Sequence, residues 1–411
     1  MGKCHCITLP RHKLKVIVIQ LGARHRYAVP RFLFEAKHLE ALYTDSNATF
    51  GVGRLFNHLP QSMLSRSAKR LIQRRISGIP SSLVRSTDLL LLYEPLLRRT
   101  STSEFDFNLR RDRVFSRALQ KWGPGNATWI YSMFGEGWNF IESAKKRDIR
   151  IALDMFVNPI THRIVENERR LFPDWELPDA ENFQALENDL CKRIALADLL
   201  LCPAQSVVEG LKSYPTFDAE KVRVVPYGFA VDARPKGASP IPRRILFGGA
   251  ANLRKGIHYL ARAATLLSSS FPGYEFRVAG PVTNTVRSKT ECRNLNFLGP
   301  LSRADFLAEL ELADIFVLPT LAEGSATVIY EALSFGIPVV TTMSAGSVIT
   351  SGKEGLIVPE RDAAALATAI REITELRTVR DSMSIEAAFT AKEFSEELWG
   401  KRLIAALQSA A

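Results

Sequence analysis

An α/β architecture of two doubly wound domains is what this sequence predicts. Three features carry that prediction. Short apolar runs alternate with helix-patterned stretches. The alternation stops at a Pro- and Gly-rich segment near residue 235 and then restarts. The 411 residues suit two cores of about 200 residues each.

Residues 14–20 form the first apolar run and end in Leu21-Gly22-Ala23, with a helical pattern over 30–42. Strand, glycine turn and helix open a doubly wound domain. Further strands are expected at 128–133, 149–154, 199–202 and 222–225. Residues 51–126 break the rhythm with a basic, Ser- and Arg-rich insertion. Within it Met63, Leu64, Ala68, Leu71 and Ile72 fall at helical spacing, and Arg66, Lys69, Arg70, Arg74 and Arg75 lie between them. This reads as a basic amphipathic helix, either packed on its domain or, through about residues 60–75, facing an anionic membrane. Asp232, Pro235, Gly237, Pro240 and Pro242 mark a linker over 231–244. The second half continues with strands at 244–247, 275–279, 296–298, 315–318 and 338–341. Helices are expected at 256–268, 303–313, 325–335 and 363–376.

Composition narrows the function classes. Hydrophobic residues make up 46% and charged residues 24%, as in ordinary globular proteins. No apolar run approaches the roughly 20 residues of a spanning helix. The run at 16–19 follows Arg11, Lys13 and Lys15 but is too short for a secretory signal, so it is read as a buried strand. Cys4, Cys6, Cys191, Cys202 and Cys292 lack paired zinc spacing and read as free thiols of a reducing cytoplasm. The net charge of +11 is concentrated: residues 1–100 hold 17 Lys/Arg against 5 Asp/Glu. No aromatic platform or recognition motif accompanies that charge, so nucleic acid is not the expected partner.

Three segments of the second half converge on one ligand chemistry. Phe247-Gly248-Gly249-Ala250 ends a strand, and Arg254 and Lys255 stand before the next helix, where two adjacent cations can neutralise a diphosphate. Glu323-Gly324-Ser325-Ala326-Thr327 follows the 315–318 strand, and the amides of Ser325, Ala326 and Thr327 open a helix whose N-terminus favours an anion. Glu331 lies eight residues past Glu323, and both carboxylates suit sugar hydroxyls. Cations, helix N-terminus and two acids complement a nucleoside-diphosphate sugar.

These segments resemble family 4 of the retaining glycosyltransferases. The likeness is carried by 244–256, by Glu323 and Glu331 in EGSATVIYEALSFGIPVV, by 346–358 and by 222–228. It is strong over about 240–411 and weaker over the first 200 residues. It implies the GT-B fold, two Rossmann-like domains facing across a cleft. The implied division is 1–235 for the acceptor side, 236–390 for the nucleotide-sugar side, and 391–411 as a helix returning to the first domain. Trp399 would anchor that helix by packing.

By the same resemblance Arg254 and Lys255 bind the donor phosphates, Glu323 contacts the donor sugar and Glu331 the ribose. Gly249, Gly324, Ser325, Ala326 and Thr327 line the donor, Gly280, Phe297 and Leu298 edge the base, and Gly22 faces the phosphates. One departure stands out. Many family members place a histidine at the end of an N-terminal strand, where this chain has Asp154, with His162 eight residues on. Either residue is a candidate for the reacting sugar, and Gly135-Glu136-Gly137 reads as a turn. No D-x-D motif serves the site, so neither a metal nor another cofactor is expected.

The expected reaction is retaining transfer from a nucleoside-diphosphate sugar to a hydroxyl of a polysaccharide, glycolipid or lipid-linked acceptor. The expected location is the cytoplasm, at or near the membrane face. A sugar-nucleotide epimerase of the same fold would want more acid/base residues than seven histidines suggest. A degenerate binding subunit is opposed by the intact Arg254, Lys255, Glu323 and Glu331 set. A dinucleotide oxidoreductase is opposed by the lack of G-x-G-x-x-G after the first strand.

Overall fold

The computed structural model describes residues 14–60, 63–178, 183–229 and 239–410. Cys4 and Cys6, and the linker residues Asp232, Pro235 and Gly237, lie outside the described residues. The first sheet has seven strands: β1 Val16–Gln20, β2 Leu39–Thr44, β3 Val84–Ser86, β4 Trp129–Met133, β5 Arg150–Asp154, β6 Leu199–Cys202 and β7 Val222–Val224. Their spatial order is β3-β2-β1-β4-β5-β6-β7. The second sheet has six: β8 Arg244–Gly248, β9 Glu275–Ala279, β10 Leu295–Gly299, β11 Ile315–Leu318, β12 Val339–Thr341 and β13 Gly355–Ile357. Their order is β10-β9-β8-β11-β12-β13. The neighbouring strands pair in parallel, for example β1 with β4 and β8 with β9. Helices alternate with the strands, so both sheets are doubly wound.

Contacts divide the chain into two units. One comprises residues 1–154, 193–200 and 400–411, and the other 155–192 and 201–399. In the second unit β8, β11 and β12 are apolar runs buried on both faces, which parallel sheets covered by helices demand. The Ile257–Ser270 helix turns Ile257, Leu260, Ala261, Ala264 and Leu267 into that core. The chain's last helix is Glu396–Ser409, and Trp399 is buried with its ring 5.2 Å from that of Tyr227.

Three local expectations change. The helix expected over 30–42 is Ala28–Glu35, and residues 39–44 are strand β2. Lys37 adopts a left-handed backbone (φ 61°) and stops the helix, after which Leu42 and Tyr43 pair into the sheet beside β1. The basic helix of the insertion is only Arg66–Ile72. Leu64 and Leu71 are buried, Met63 is exposed, and Arg74 turns to Asp45 at 2.9 Å instead of facing outward. Strands β2, β3 and β13 were not expected at all.

Candidate donor site

The order of the second sheet reverses between β8 and β11, because β9 and β10 extend one way from β8 and β12 and β13 the other from β11. Crevices at the carboxyl ends of strands at such a switch point are the usual ligand sites. Here a cavity of about 470 Å³ opens. Gly249, Lys255, Gly280, Glu323, Ala326 and Thr327 line it, and so do Pro300, Leu301 and Phe306.

Backbone bonds fix the walls. Gly249 N donates to Ala279 O (2.8 Å), Ala251 N to Pro281 O (2.8 Å) and Gly280 N to Gly299 O (2.9 Å). The loops after β8, β9 and β10 are thereby stitched together. A side chain at Gly280 would place its Cβ 1.9 Å from Gly249 O, so only glycine lets these loops meet. Gly256 caps the Ile257–Ser270 helix at φ 72°, and a Cβ there would lie 1.9 Å from Pro319 O. That close approach draws the 252–256 turn against the end of β11. Arg254 O accepts from Leu321 N (2.8 Å) and Thr320 Oγ1 (2.9 Å), which holds the turn in place.

The charged groups meet on one atom. Glu323 Oε1 takes both the Lys255 ammonium, at 2.5 Å, and the Arg254 guanidinium. Arg254 also donates to Ala322 O (2.9 Å), so it braces the Glu323 loop from behind. Burial pulls the Lys255 ammonium below its ordinary range, with Glu323 opposing that shift. An anion entering beside Lys255 would further favour its charged form. The Thr327–Ser334 helix starts at the cavity wall with no side-chain cap, so the first-turn amides of the lining residues Thr327 and Val328 have no capping acceptor.

The structure brings together Lys255, Glu323, Gly249, Gly280, Ser325, Ala326 and Thr327, all on the cavity wall. Some roles differ from expectation. Ala326 N is spent on Ala345 O (3.0 Å), and the Ser325 hydroxyl turns inward to Gly346 O (2.9 Å) and the Tyr330 hydroxyl (2.8 Å). Gly324 has backbone room for no side chain, since a Cβ would lie 1.9 Å from Phe156 O. Phe297 and Leu298 do not line the cavity. They sit inside β10 and pack on the core, and Pro300 and Leu301 after the strand's end take that place. Glu331, one turn up the helix from Thr327, pairs with Arg303 at 2.5 Å and stands outside the lining. Arg303 and Phe306, both on the Arg303–Leu312 helix, were missed.

The remaining candidates are not among the residues that line the cavity. Gly22, after β1, has φ 70° and donates its amide to Asp45 Oδ1 (2.7 Å). Asp154 ends β5, is buried, and accepts from the Tyr131 hydroxyl. Glu136 is a largely but not fully buried carboxylate that accepts from Leu21 N at 2.7 Å. His162, on the Thr161–Leu171 helix, binds Glu187 at 2.6 Å and stacks on Phe183 with centroids 5.6 Å apart. It braces two helices in the second unit, and Glu187, held near pKa 2 chiefly by Arg163, is its anchor.

Comparison with known proteins agrees with this geometry. Residues 242–375 match the family model described as glycosyl transferases group 1. A protein named as a colanic acid biosynthesis glycosyltransferase, WcaL of Salmonella typhimurium, is 28% identical over 176 residues, 38% of this chain and 42% of that protein. Glycogen synthase of Mycobacterium tuberculosis is 31% identical over 142 residues, 33% of this chain and 34% of that protein. The chain thus aligns with less than half the length of these curated relatives. In fold the likeness spans nearly the whole chain: the crystal structure of Anabaena HepE, in complex with UDP and glucose, superposes with a TM-score of 0.60 at 15% identity, covering 96% of this chain and all of that one. The fold is GT-B, and the stretch that builds the cavity matches the group 1 glycosyl transferase model.

Proposed function

We propose that this protein is a retaining glycosyltransferase that moves a sugar from a nucleoside diphosphate to an acceptor hydroxyl. The observation that carries the reading is the Lys255–Glu323 contact of 2.5 Å on the wall of a glycine-lined cavity, beside an uncapped helix N-terminus. Lys255 and the Thr327 and Val328 amides would hold the diphosphate and take up the charge that develops as it leaves. Glu323 Oε2, with no partner among the described residues, would accept a donor-sugar hydroxyl. Arg254 would share Glu323 and steady it. Glu331 would meet the ribose from the cavity rim.

The chemistry is proposed to need no metal, because Lys255 and a helix terminus would face the leaving group. Attack by the acceptor from the face that the nucleotide leaves would retain configuration. A polysaccharide, glycolipid or lipid-linked acceptor is supported by the likeness to WcaL and by the basic first 100 residues. The same charge supports work at the cytoplasmic face of a membrane. No helix among the described residues is long and apolar enough to cross one.

The test is a thermal-shift panel of UDP, GDP, ADP, CDP and dTDP on the purified protein without metal. A ligand of the native state alone raises the melting temperature. One base is expected to give a clear shift, and no shift with any of the five would overturn the donor site.

A further inference from the structure

The first unit carries an apolar surface that the transfer reaction does not use. Among the described residues nineteen large apolar side chains are well exposed, and eight of them fall between Val52 and Leu96. Leu92 is 74% exposed, Met63 73% and Leu55 65%. The Leu89–Thr100 helix supplies the densest part, with Leu92 and Leu96 one turn apart and Tyr93 between them. The Gly51–Phe56 helix abuts its start, where Val52 N donates to Asp88 Oδ2 at 2.8 Å. The two exposed sets are thus neighbours.

Beside the stripe lies a groove of about 540 Å³ between the Leu89–Thr100 and Glu104–Trp122 helices. Leu89, Tyr93, Val114 and Ala118 give it apolar walls, and Arg117 and Lys121 stand on its rim one turn apart. Neither cation has a carboxylate partner among the described residues. Arg99 is exposed on the same helix as Leu92, and Glu94 is the sole acid of that helix. An apolar stripe, an apolar groove and unpaired cations on its lip complement one chemistry: acyl chains beneath anionic headgroups.

We infer that this face docks on an anionic lipid bilayer, with Leu92 and Leu96 entering the acyl boundary and Arg117 and Lys121 on lipid phosphates. The contact residues differ from the 60–75 stretch singled out in the sequence. There Leu64 and Leu71 are buried and Arg74 is held by Asp45. The docking is independent of the sugar-transfer reading, because it needs no donor.

Co-sedimentation with phosphatidylcholine vesicles, with and without phosphatidylglycerol, tests it. The full chain is expected to bind the anionic vesicles and to bind phosphatidylcholine alone weakly. Two cations near a charged surface are worth about 1 kcal/mol each, so Arg117→Ala with Lys121→Ala should weaken binding about 30-fold, and less in high salt. Leu92→Asp with Leu96→Asp should weaken it by at least about 10-fold at any salt. Both pairs are surface substitutions and should keep the wild-type melting temperature and its response to nucleoside diphosphates, which separates a failure here from a failure of the donor site. Absence of wild-type binding to anionic vesicles overturns the inference and leaves the face to a protein partner. Equal binding to both vesicle types, or wild-type binding by both variants, overturns it too.

Discussion

The strand ends of the two sheets treat polar groups in opposite ways. Beyond β8, β9 and β11, glycines and small residues keep side chains out of a cavity, and a partly buried cation faces it. Beyond β1 and β4, carboxylates fill the corresponding place. Glu136 takes Leu21 N, Asp45 takes Gly22 N, and Asp112 takes Gly137 N (2.6 Å) and Trp138 N (3.0 Å). One edge leaves a glycine-lined opening that a ligand could enter, and at the other carboxylates take the loop amides. A shared architecture therefore does not mean a shared site: loop chemistry decides where a ligand can enter.

The open edge breaks most readily at Gly280. An added Cβ would lie 1.9 Å from Gly249 O, and the backbone sits at φ 150°, where side chains are strained. Gly280→Ala should cost about 3–5 kcal/mol from strain and overpacking together. Denaturant unfolding would measure it. A loss below about 1 kcal/mol would mean that the loops part easily and that the cavity wall is soft.

The closed edge shows itself in pH dependence. Burial raises the Glu136 carboxyl to about 7, Arg24 only partly offsetting it, and burial raises Asp45 and Asp112 as well. A carboxyl whose folded pKa exceeds its unfolded one holds an extra proton in the native state. Stability from Glu136 should therefore be highest below about pH 4.5 and fall as pH rises to about 7. The shift corresponds to about 3 kcal/mol. Glu136→Gln should flatten that decline in unfolding curves taken across the window. An unchanged slope in the variant would assign the decline to other groups. Glu168, in the second unit, has the opposite sign. Burial opposes its charge, but hydrogen bonds from His258, Tyr259 and Arg361 outweigh burial and hold it near pKa 2, so its contribution is lost only as pH falls below the ordinary carboxylate range.

How much of this was legible follows from what a sequence pattern can carry. The apolar runs of β1, β4, β8 and β11 are buried on both faces and stand out. β3 and β13 have three residues each and end their sheets, which leaves little periodicity to read. Lys255 and Glu323 were legible because a glycine-rich turn and a helix start have local signatures. Arg303 and Phe306 were not, since nothing local says that a helix after β10 will face the start of the Thr327–Ser334 helix. The Glu187 partner of His162 was unreadable for the same reason, since it is 25 residues away on another helix.

The cavity's charge balance gives the next prediction. Lys255→Ala removes the ammonium that faces the cavity and leaves Glu323 to Arg254 alone. A charged hydrogen-bond partner is worth about 1.5–3 kcal/mol, so donor turnover should fall by at least about 10-fold. Stability should move little or rise, because a half-desolvated cation is removed. Unchanged turnover would leave the open edge without its proposed work.

The smallest effect is expected at the rim. Arg303 and Glu331 form a partly exposed pair at 2.5 Å, and such pairs contribute about 1 kcal/mol or less to stability. Their use would lie in orientation. Arg303 takes one Glu331 oxygen and so fixes the carboxylate that would receive the ribose hydroxyls. Arg303→Ala should then raise the donor KM about 3–5-fold with kcat nearly unchanged, since an interaction equal in ground and transition states acts on binding alone. Glu331→Ala should raise KM by about 10-fold or more, because it removes the hydrogen-bond acceptor itself. If Arg303→Ala instead lowers kcat and leaves KM alone, Glu331 is held for the chemical step, and the proposed ribose role of the rim is wrong.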